Sequence, residues 1–310
     1  STVGAPGAAG PGPAEPARCG APPAGSGRRG LLNSIGRSPS TAEIDAAAGS
    51  YGVVVLNQWD GALAARIKQR DPSVVVLMYQ CLSSTRSHDS VTNRSGGVLH
   101  SAAPASWFAT DSSGKRIVWG PYPGHFQMAV WDPGYQQAWV DNVVRSLSSD
   151  SWDGVLADND MDSLRWYTDA RFAGTASQGA TDARLRQGLQ SLIDRAGAAL
   201  NARGKLLVPN ISEARLNPGR WAAHTRYGGG MEESFAHFGE SSTDGWVGDW
   251  GSDGWMAQTD QMRSPGISLA ITRAQPGDRR TLLYGFTSML VRGDGAVSYT
   301  HLTLPTNREV

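Results

Sequence analysis

The chain has 310 residues, of which 40% are hydrophobic and 18% charged, and 28 basic side chains balance 28 acidic ones. This composition is typical of a globular protein with material for one large domain or two ordinary ones. We expect neither nucleic acid nor a membrane among its partners, because the charges form no basic stripe and no apolar run reaches the roughly 18 to 20 residues of a membrane span.

The first 30 residues are almost entirely proline, alanine and glycine. They cannot bury enough surface to offset the entropy of ordering them, so we predict that residues 1–30 are a disordered linker. Such a linker ahead of a catalytic domain is common in exported bacterial proteins, and we therefore expect a secreted, extracellular protein. The two cysteines, Cys19 and Cys81, are either free thiols or a single bridge.

From residue 30 onward, short β-branched runs alternate with segments of helical period. A first strand is predicted near Leu31, and buried strands are predicted at residues 51–58 and 73–80, with a helix at residues 61–70 between them. A helix that begins at Pro133 leads to a further strand in "DGVLAD". Later segments continue the alternation: a helix from Thr181 to Gly204, and strands at residues 205–210, 228–235, 266–272 and 295–299.

Six to eight parallel strands alternating with helices over about 270 residues predict an α/β fold, a (β/α)8 TIM barrel, at residues 31–297. A doubly wound sheet is the alternative. The tail at residues 298–310, "SYTHLTLPTNREV", has neither period nor apolar face and resembles translated adapter sequence. We expect this tail to be non-native, in which case the last strand of the barrel is incomplete.

The segment "DGVLADNDMD", residues 153–162, runs from an apolar strand into a cluster of acids. Asp158 ends the strand on the same face as Leu156, so it points over the barrel mouth if Leu156 points inside. In "GGGMEESF", Glu232 and Glu233 lie on opposite faces, and only one can point to the barrel axis. Two carboxylates at one mouth are the minimal equipment for cleaving a glycosidic bond. Asp158 and Glu233, with Glu232 as the alternative, are therefore the predicted catalytic residues.

Other interpretations of these acids are weaker. The first acid of the segment, Asp153, is typical of a turn before a strand. Asp158, Asp160 and Asp162 imitate a calcium loop, but Ser163 stands where that loop requires glycine. The two glutamates could also be a solvated pair on a loop. We predict no metal and no cofactor.

Eleven tryptophans, several in polar loops, need an explanation. Sugars stack their C–H faces on aromatic rings and bond their hydroxyls to polar side chains, so aromatic loops after the strands suggest a carbohydrate cleft. Each tryptophan could instead belong to a small core of its own loop. The predicted substrate-binding residues are Trp59, Tyr79, Gln80, Trp107, His125, Trp131, Asp160, Asn210 and Trp250.

The sequence contains no GxSxG, HExxH, GxxxxGK[ST] or strand-linked GxGxxG motif, and its six histidines show no metal-ligand spacing. Carboxylate-assisted hydrolysis is the chemistry that is left. Glu233 neighbours Met231 and Phe235 in sequence, which predicts a raised pKa and the role of proton donor. Asp158 adjoins Asn159 and a polar turn, which predicts an ionised nucleophile or base.

Four segments, "YGVVVLNQWD", "VVVLMYQCLSS", "WDGVLADND" and "GGGMEESF", together resemble the hypothetical glycosyl hydrolase family 15, which is related to endo-polygalactosaminidase and α-galactosidase barrels. The resemblance covers roughly residues 31–295. It implies a nucleophile at the end of strand four, here Asp158, an acid/base at the end of strand six, here Glu233, and an α-linked substrate.

The competing hypothesis is a non-catalytic barrel that binds polysaccharide through an aromatic cleft. The two hypotheses differ in the separation of the carboxyl groups: about 5 Å fits a retaining hydrolase, about 6.5 to 9.5 Å an inverting one, and a much larger distance fits neither. On either hypothesis we expect a monomer whose partner is a carbohydrate.

Overall fold

A computed structural model describes residues 30–238, 247, 254–262, 266–275, 277–292 and 298–300. The strands are β1 (Leu31–Asn33), β2 (Val53–Leu56), β3 (Val75–Cys81), β4 (Ser84–Arg86), β5 (His125–Gln127), β6 (Gly154–Asp160), β7 (Leu206–Ile211), β8 (Gly229–Glu232), β9 (Ile267–Ala270) and β10 (Ser298–Thr300). The helices are α1 (Thr41–Ser50), α2 (Gly61–Arg70), α3 (Pro133–Ser146), α4 (Gln178–Asn201), α5 (Arg220–Thr225), α6 (Trp255–Gln261) and α7 (Arg279–Arg292).

Eight strands form one parallel sheet in the order β1-β2-β3-β6-β7-β8-β9-β10. The sheet curls into a TIM-like barrel, which confirms the predicted fold and excludes the doubly wound alternative. Among the residues described, no ladder joins β10 to β1, so the barrel keeps an unsealed seam. β4 and β5 form a separate antiparallel ribbon after β3.

The barrel interior is filled by alternate residues of the strands, among them Leu77, Leu156, Val208 and Met231. Their sequence neighbours point outward and pack beneath the helices, as Val155 does on β6. Strands that are buried on both faces explain why the sequence shows continuous apolar runs in place of alternation. This inside-outside alternation decides which polar side chains reach the barrel mouth.

Local sequence explains where the helices begin. Ser40 and Glu43 form a reciprocal capping box at α1, and Asp132 accepts backbone hydrogen bonds ahead of Pro133 at α3. The predicted start of α4 at Thr181 is wrong, because Ser177 caps the helix and Thr181 lies inside its first turn. The Thr181 hydroxyl accepts instead from the backbone N–H of Phe172.

The ends of the chain leave two expectations open. Residues 1–29 and Cys19 lie outside the described part, whereas Cys81 is buried and free. β10 falls within the segment set apart as a tail and pairs in parallel with β9. That this segment is non-native stays a prediction. No helix in the described ranges is long and apolar enough to span a membrane.

Candidate active site

The C-terminal ends of neighbouring strands bring five polar residues to the barrel mouth, and we call them the mouth cluster: Tyr79, Asp158, Asn210, Glu233 and Arg273. Each continues the inward alternation of its strand. Asp158 follows Leu156, and Glu233 follows Met231, and both of these apolar residues lie in the barrel interior. The structure thus brings Asp158 and Glu233 together, as the alternation predicted.

One amide joins the two acids. Asn210 Nδ2 donates to Asp158 Oδ1 and to Glu233 Oε2, and both hydrogen bonds are 2.8 Å long. Because the two bonds share one nitrogen, these carboxylate oxygens cannot lie farther apart than twice that length. Asn210, one of the predicted site residues, thus links the two acids.

Asp158 is held by three donors. Besides Asn210, its Oδ2 accepts from the Tyr79 hydroxyl at 2.8 Å and from Asn159 Nδ2 at 2.9 Å. Burial raises the pKa of Asp158, the charge of Glu233 adds to this effect, and the hydrogen bonds from Asn210 and Tyr79 oppose it. The result is a half-buried carboxyl that is fixed in direction and lies beside a second acid.

The backbone turns sharply just after Asp158. Asn159 has a φ of 65°, in the left-handed region that asparagine tolerates better than most residues, and the register between β6 and β7 shifts between Ala157 and Asp160. This irregularity lets the Asn159 side chain fold back onto the Asp158 carboxylate. Non-glycine residues in this conformation cluster at functional sites.

Glu233 has polar surroundings, which corrects the expectation of an apolar environment drawn from Phe235. Its Oε1 contacts the Arg273 guanidinium, and the side chains of Glu233 and Arg273 are 40% and 37% exposed. Phe235 packs in a separate apolar cluster with Trp221 and Met262. Glu233 therefore stands at the open side of the mouth, with access to solvent and to a ligand.

Glu232 points to the other side of β8. It is 3% exposed, its Oε1 accepts from the Ser234 N–H at 3.3 Å, and its Oε2 has no hydrogen-bond partner. Burial raises the pKa of Glu232 to about 8. The alternation of the strand thus separates the two glutamates and brings Glu233 to the mouth.

Asp160 is a correction, because it is fully buried behind the strands and cannot contact a substrate. Its carboxylate binds Arg220 and the Nδ1 atom of His224, each at 2.5 Å, while His224 Nε2 faces Gln190 Oε1 at 2.7 Å. We call Asp160, Gln190, Arg220 and His224 the buried cluster. A regular strand would have kept Asp160 on the face of Asp158, but the turn at Asn159 reverses its direction.

Gln80 is a second correction. It is completely buried on the outward face of β3, where its Nε2 donates to the carbonyl oxygens of Tyr79 and Arg94. Tyr79, the preceding residue, faces inward and reaches Asp158. Adjacent residues on a strand cannot both face the cleft, and here Tyr79 occupies that face.

Four rings pack together beside the site, and we call them the aromatic wall: Trp119, Tyr122, His125 and Tyr167. Trp119 and Tyr167 stack with centroids 4.0 Å apart. The wall is connected to the acids, since the Tyr167 hydroxyl donates to Asn159 Oδ1 at 2.5 Å. Burial lowers the pKa of His125 to about 4, which leaves the imidazole neutral near pH 7.

The predicted tryptophans do not join this wall. Trp107 packs edge-on against Tyr135 of α3, and Trp131 packs against Phe172 and beneath Arg184 of α4. Trp59, which follows β2, donates from its indole N–H to the Ser38 hydroxyl. Trp250 lies outside the described residues. Trp107 and Trp131 thus pack their loops against other parts of the barrel, at α3 and α4 respectively.

Five residues of the site are absent from the predicted set: Arg86, Trp119, Tyr122, Tyr167 and Arg273. Arg273 stands two residues beyond the inward-facing Ile271, so the alternation of β9 could have identified it. Tyr167 lies in the loop after β6, and no local sequence pattern predicts the path of that loop. Within the described part of the chain, no group of His, Cys, Asp and Glu side chains could hold a metal ion.

Comparison with known proteins identifies a family that the chain matches. A model of the hypothetical glycosyl hydrolase family 15 matches residues 68–308. No curated protein matches the chain.

Similar solved structures include Ega3 of Aspergillus fumigatus in complex with galactosamine, with a TM-score of 0.53 and 11% identity over 89% of this chain and 90% of that one. The α-L-fucosidase isoenzyme 2 of Paenibacillus thiaminolyticus has a TM-score of 0.51 and 14% identity over 89% of this chain and 46% of its own. The α-galactosidase of Lactobacillus brevis has a TM-score of 0.51 and 13% identity over 89% and 37%. The chain spans less than half of the latter two proteins, and at these identities the likeness shows the fold alone.

Proposed function

The chain belongs to the hypothetical glycosyl hydrolase family 15. We propose that it is a glycoside hydrolase that cleaves α-linked glycosidic bonds of a polysaccharide or oligosaccharide with retention of anomeric configuration. Asp158 is the proposed nucleophile and Glu233 the proposed acid/base. The observation that carries this proposal is the single Asn210 amide that binds both carboxylates.

The spacing of the acids supports retention. Retaining enzymes have their two carboxyl groups about 5 to 5.5 Å apart, whereas inverting enzymes need about 6.5 to 9.5 Å to admit a water molecule between acid and base. Two hydrogen bonds of 2.8 Å to one nitrogen limit the separation of Asp158 Oδ1 and Glu233 Oε2 to at most twice that length. This upper bound lies below the inverting range and supports retention.

The surroundings of each acid support the division of roles. Asp158 is half-buried and fixed by three donors, which suits a nucleophile that must be aimed at one carbon atom. Glu233 is partly exposed, which suits a residue that meets a departing oxygen and then a water molecule. Polar contacts of Glu233, not an apolar pocket, must therefore control its proton transfer.

The reaction follows in two steps. An oxygen of ionised Asp158 forms a bond to the anomeric carbon while the bond to the leaving oxygen breaks and Glu233 protonates that oxygen. Glu233, now ionised, takes a proton from water, whose oxygen attacks the same carbon and releases Asp158. The chain of hydrogen bonds from Tyr79 and Asn210 keeps the nucleophile in place through both steps.

The substrate class rests on kinship and on the aromatic wall. The α-L-fucosidase and the α-galactosidase are named for α-linked sugars, which supports an α-linked substrate here. Tyr122 of the wall is 48% exposed and offers a surface on which a sugar can stack. We further propose that the protein is secreted and acts as a monomer, on the grounds of its linker composition and single barrel.

The adjacent glutamates provide a matched experiment. Purified protein is screened against α-linked polysaccharides with reducing ends as the readout, and then Glu233→Gln is assayed on aryl glycosides and on natural glycosides. Glu233→Gln should retain activity only on aryl glycosides, whose leaving group needs no protonation, whereas Glu232→Gln should not discriminate between the two substrates.

Two results would contradict this assignment. Leaving-group dependence in Glu232→Gln in place of Glu233→Gln would transfer the acid role to Glu232. Tight binding of polysaccharide with no release of reducing ends would instead favour the non-catalytic binding barrel.

A further inference from the structure

One arginine stands behind the proposed nucleophile without touching it. Arg86, at the end of β4, donates from Nη2 to the Tyr79 hydroxyl oxygen at 3.2 Å, and its guanidinium carbon lies 5.7 Å from the centroid of the Tyr79 ring. The Tyr79 hydroxyl lies 2.8 Å from Asp158 Oδ2. The three residues therefore form a chain that leads from β4 through β3 to β6.

The chemistry of these groups fixes the direction of the chain. A guanidinium can only donate, so the Tyr79 oxygen must accept from Arg86, and the single proton of the hydroxyl is left for Asp158. Burial, and then the charge of Asp158, raises the pKa of Tyr79 well above its ordinary value. Tyr79 thus keeps its proton at any working pH and cannot take one from Asp158.

We propose that Arg86 is a positioning residue that acts through Tyr79, orienting the tyrosine hydroxyl so that its proton always points at Asp158. This inference rests on the proposed function, since it concerns the residue assigned there as nucleophile. The donor stabilises the ionised carboxylate that attacks the sugar and opposes the burial and the Glu233 charge that favour its protonated form.

Arg86 occupies a defined place in the ribbon of β4 and β5. The Nε atom of Arg86 is buried without a hydrogen-bond partner. Arg86 pairs across the ribbon with His125 of the aromatic wall. The ribbon of β4 and β5 therefore has a role beyond closing a loop, because it carries both Arg86 and His125 to the same side of the mouth. A lysine could supply the charge at this place but not the planar fork that reaches past the ring.

The ionisable groups that face Asp158 come from several elements, and each must be considered in a titration: Tyr79 and Cys81 from β3, Arg86 from β4, Tyr167 after β6, and Glu233 with Arg273 after β8 and β9. Arg86 also acts on Asp158 directly through its charge. A single Arg86 variant therefore cannot separate the two effects, and a comparison between two backgrounds is required.

The test is a double-mutant cycle read by carboxyl titration. The protein is labelled with 13C at the aspartate carboxyl, the Asp158 signal is assigned by its loss in Asp158→Asn, and its midpoint is followed against pH. Tyr79→Phe should raise the midpoint by about one to two pH units, since it removes a hydrogen bond to a charged group. Arg86→Met should raise the Asp158 midpoint by less than Tyr79→Phe does. The shift caused by Arg86→Met should be larger in the wild-type background than in the Tyr79→Phe background.

Two results would overturn the proposal: a midpoint that does not move in Tyr79→Phe, or an Arg86→Met shift of equal size in both backgrounds. Tyr51→Phe is the matched control: it also deletes a tyrosine hydroxyl, but just before the N-terminal end of β2, and it should leave the Asp158 midpoint unchanged. Thermal melting confirms that each variant is folded. Arg86→Lys keeps the charge and should recover only part of the Arg86→Met shift.

Enzyme assays separate this inference from the function on which it rests. If Asp158 is the nucleophile, the acid limb of kcat/KM on an aryl glycoside should move with the midpoint in each variant. A midpoint that moves while the acid limb does not would support the Arg86–Tyr79 chain and reject Asp158 as the ionised group of the reaction.

Discussion

The mouth cluster and the buried cluster are built from the same kinds of side chain, yet they have opposite character. Each contains an aspartate of β6, an arginine and a side-chain amide. In the buried cluster, burial would raise the pKa of Asp160, but Arg220 and His224 outweigh it and the pKa is lowered. In the mouth cluster the pKa of Asp158 is raised, because burial and Glu233 outweigh its donors.

The two clusters differ in how their basic side chains are placed. Asp160 is closed to solvent and is held by Arg220 and His224, so its interactions join β6 to α5 and, through His224 and Gln190, to α4. Asp158 shares Asn210 with a second acid and is left incompletely compensated. Carboxylates that a fold leaves in this state are typical of functional sites.

The largest expected effect separates the clusters by activity. Asp158→Asn should lower kcat/KM on any substrate by about 10³-fold or more, which corresponds to about 4 kcal/mol, because an amide cannot form the glycosyl ester. The change preserves volume, so ligand affinity and the melting temperature should stay close to those of the wild type. A variant that unfolds like a core truncation would instead show that Asp158 is a structural ion.

The second effect is the converse. Asp160→Asn leaves Arg220 and His224 beside a neutral amide in a buried site, which should reduce the free energy of unfolding by about 3 to 5 kcal/mol. Because the folded pKa of Asp160 is lowered, this contribution is present above the ordinary aspartate pKa and is lost as the pH falls through the folded value.

Urea unfolding at several pH values measures it. Asp169→Asn, the same change at an exposed position, is the control and should stay within about 0.5 kcal/mol of wild type. A loss for Asp160→Asn no larger than that of the control would remove the contrast between the clusters.

The sequence identified the two acids of the mouth because the alternation of a strand is a local property. Leu156 and Met231 point inward, and Asp158 and Glu233 lie two residues farther on. The same rule failed for Asp160, since the left-handed Asn159 breaks the alternation and asparagine at a strand end does not announce that conformation. Gln80 was a different error, because two neighbouring residues were both assigned to one face.

Partners brought from distant elements were beyond the sequence. Arg220 and His224 come from α5 and meet Asp160 only when the barrel is wound. Arg86 and Tyr167 likewise reach the site through loop paths that side-chain patterns do not determine. The sequence shows that the loops after the strands carry aromatic residues, but which rings face the mouth depends on how each loop packs.

Glu232 is an intermediate case. It is buried like Asp160, but its Oε2 atom has no hydrogen-bond partner, unlike the carboxylates of either cluster. Its folded pKa of about 8 lies above the ordinary value of 4.5, so between these values the folded protein holds a proton that the unfolded chain has lost. The free energy of unfolding therefore falls as the pH rises through this window, by about 1.4 kcal/mol for each pH unit. Glu232→Gln should remove this slope.

Unfolding at pH 5, 7 and 9 tests the point. The stability of Glu232→Gln relative to wild type should grow from pH 5 to pH 9, and Glu43→Gln on exposed α1 should show no such growth, because the pKa of Glu43 is lowered by Arg37 to about 2. Parallel curves for wild type and Glu232→Gln would mean that the Glu232 carboxyl finds a partner in solution.

The smallest effect concerns the outer edge of the mouth, where the acids give way to rings. Tyr122 is the most exposed member of the aromatic wall, and Trp119 behind it is 2% exposed, so only the outer ring can meet a sugar. Stacking of this kind contributes about 0.5 to 1.5 kcal/mol, so Tyr122→Ala should raise KM for a polysaccharide by about two- to tenfold. An aryl monosaccharide that fills only the space over Asp158 should show little change in KM, and Tyr122→Phe, which keeps the ring, should lose much less affinity for the polymer. Equal losses on the long and the short substrate would mean that Tyr122 supports the mouth itself, through its contacts with His125 and Tyr167, and does not bind the sugar beyond it.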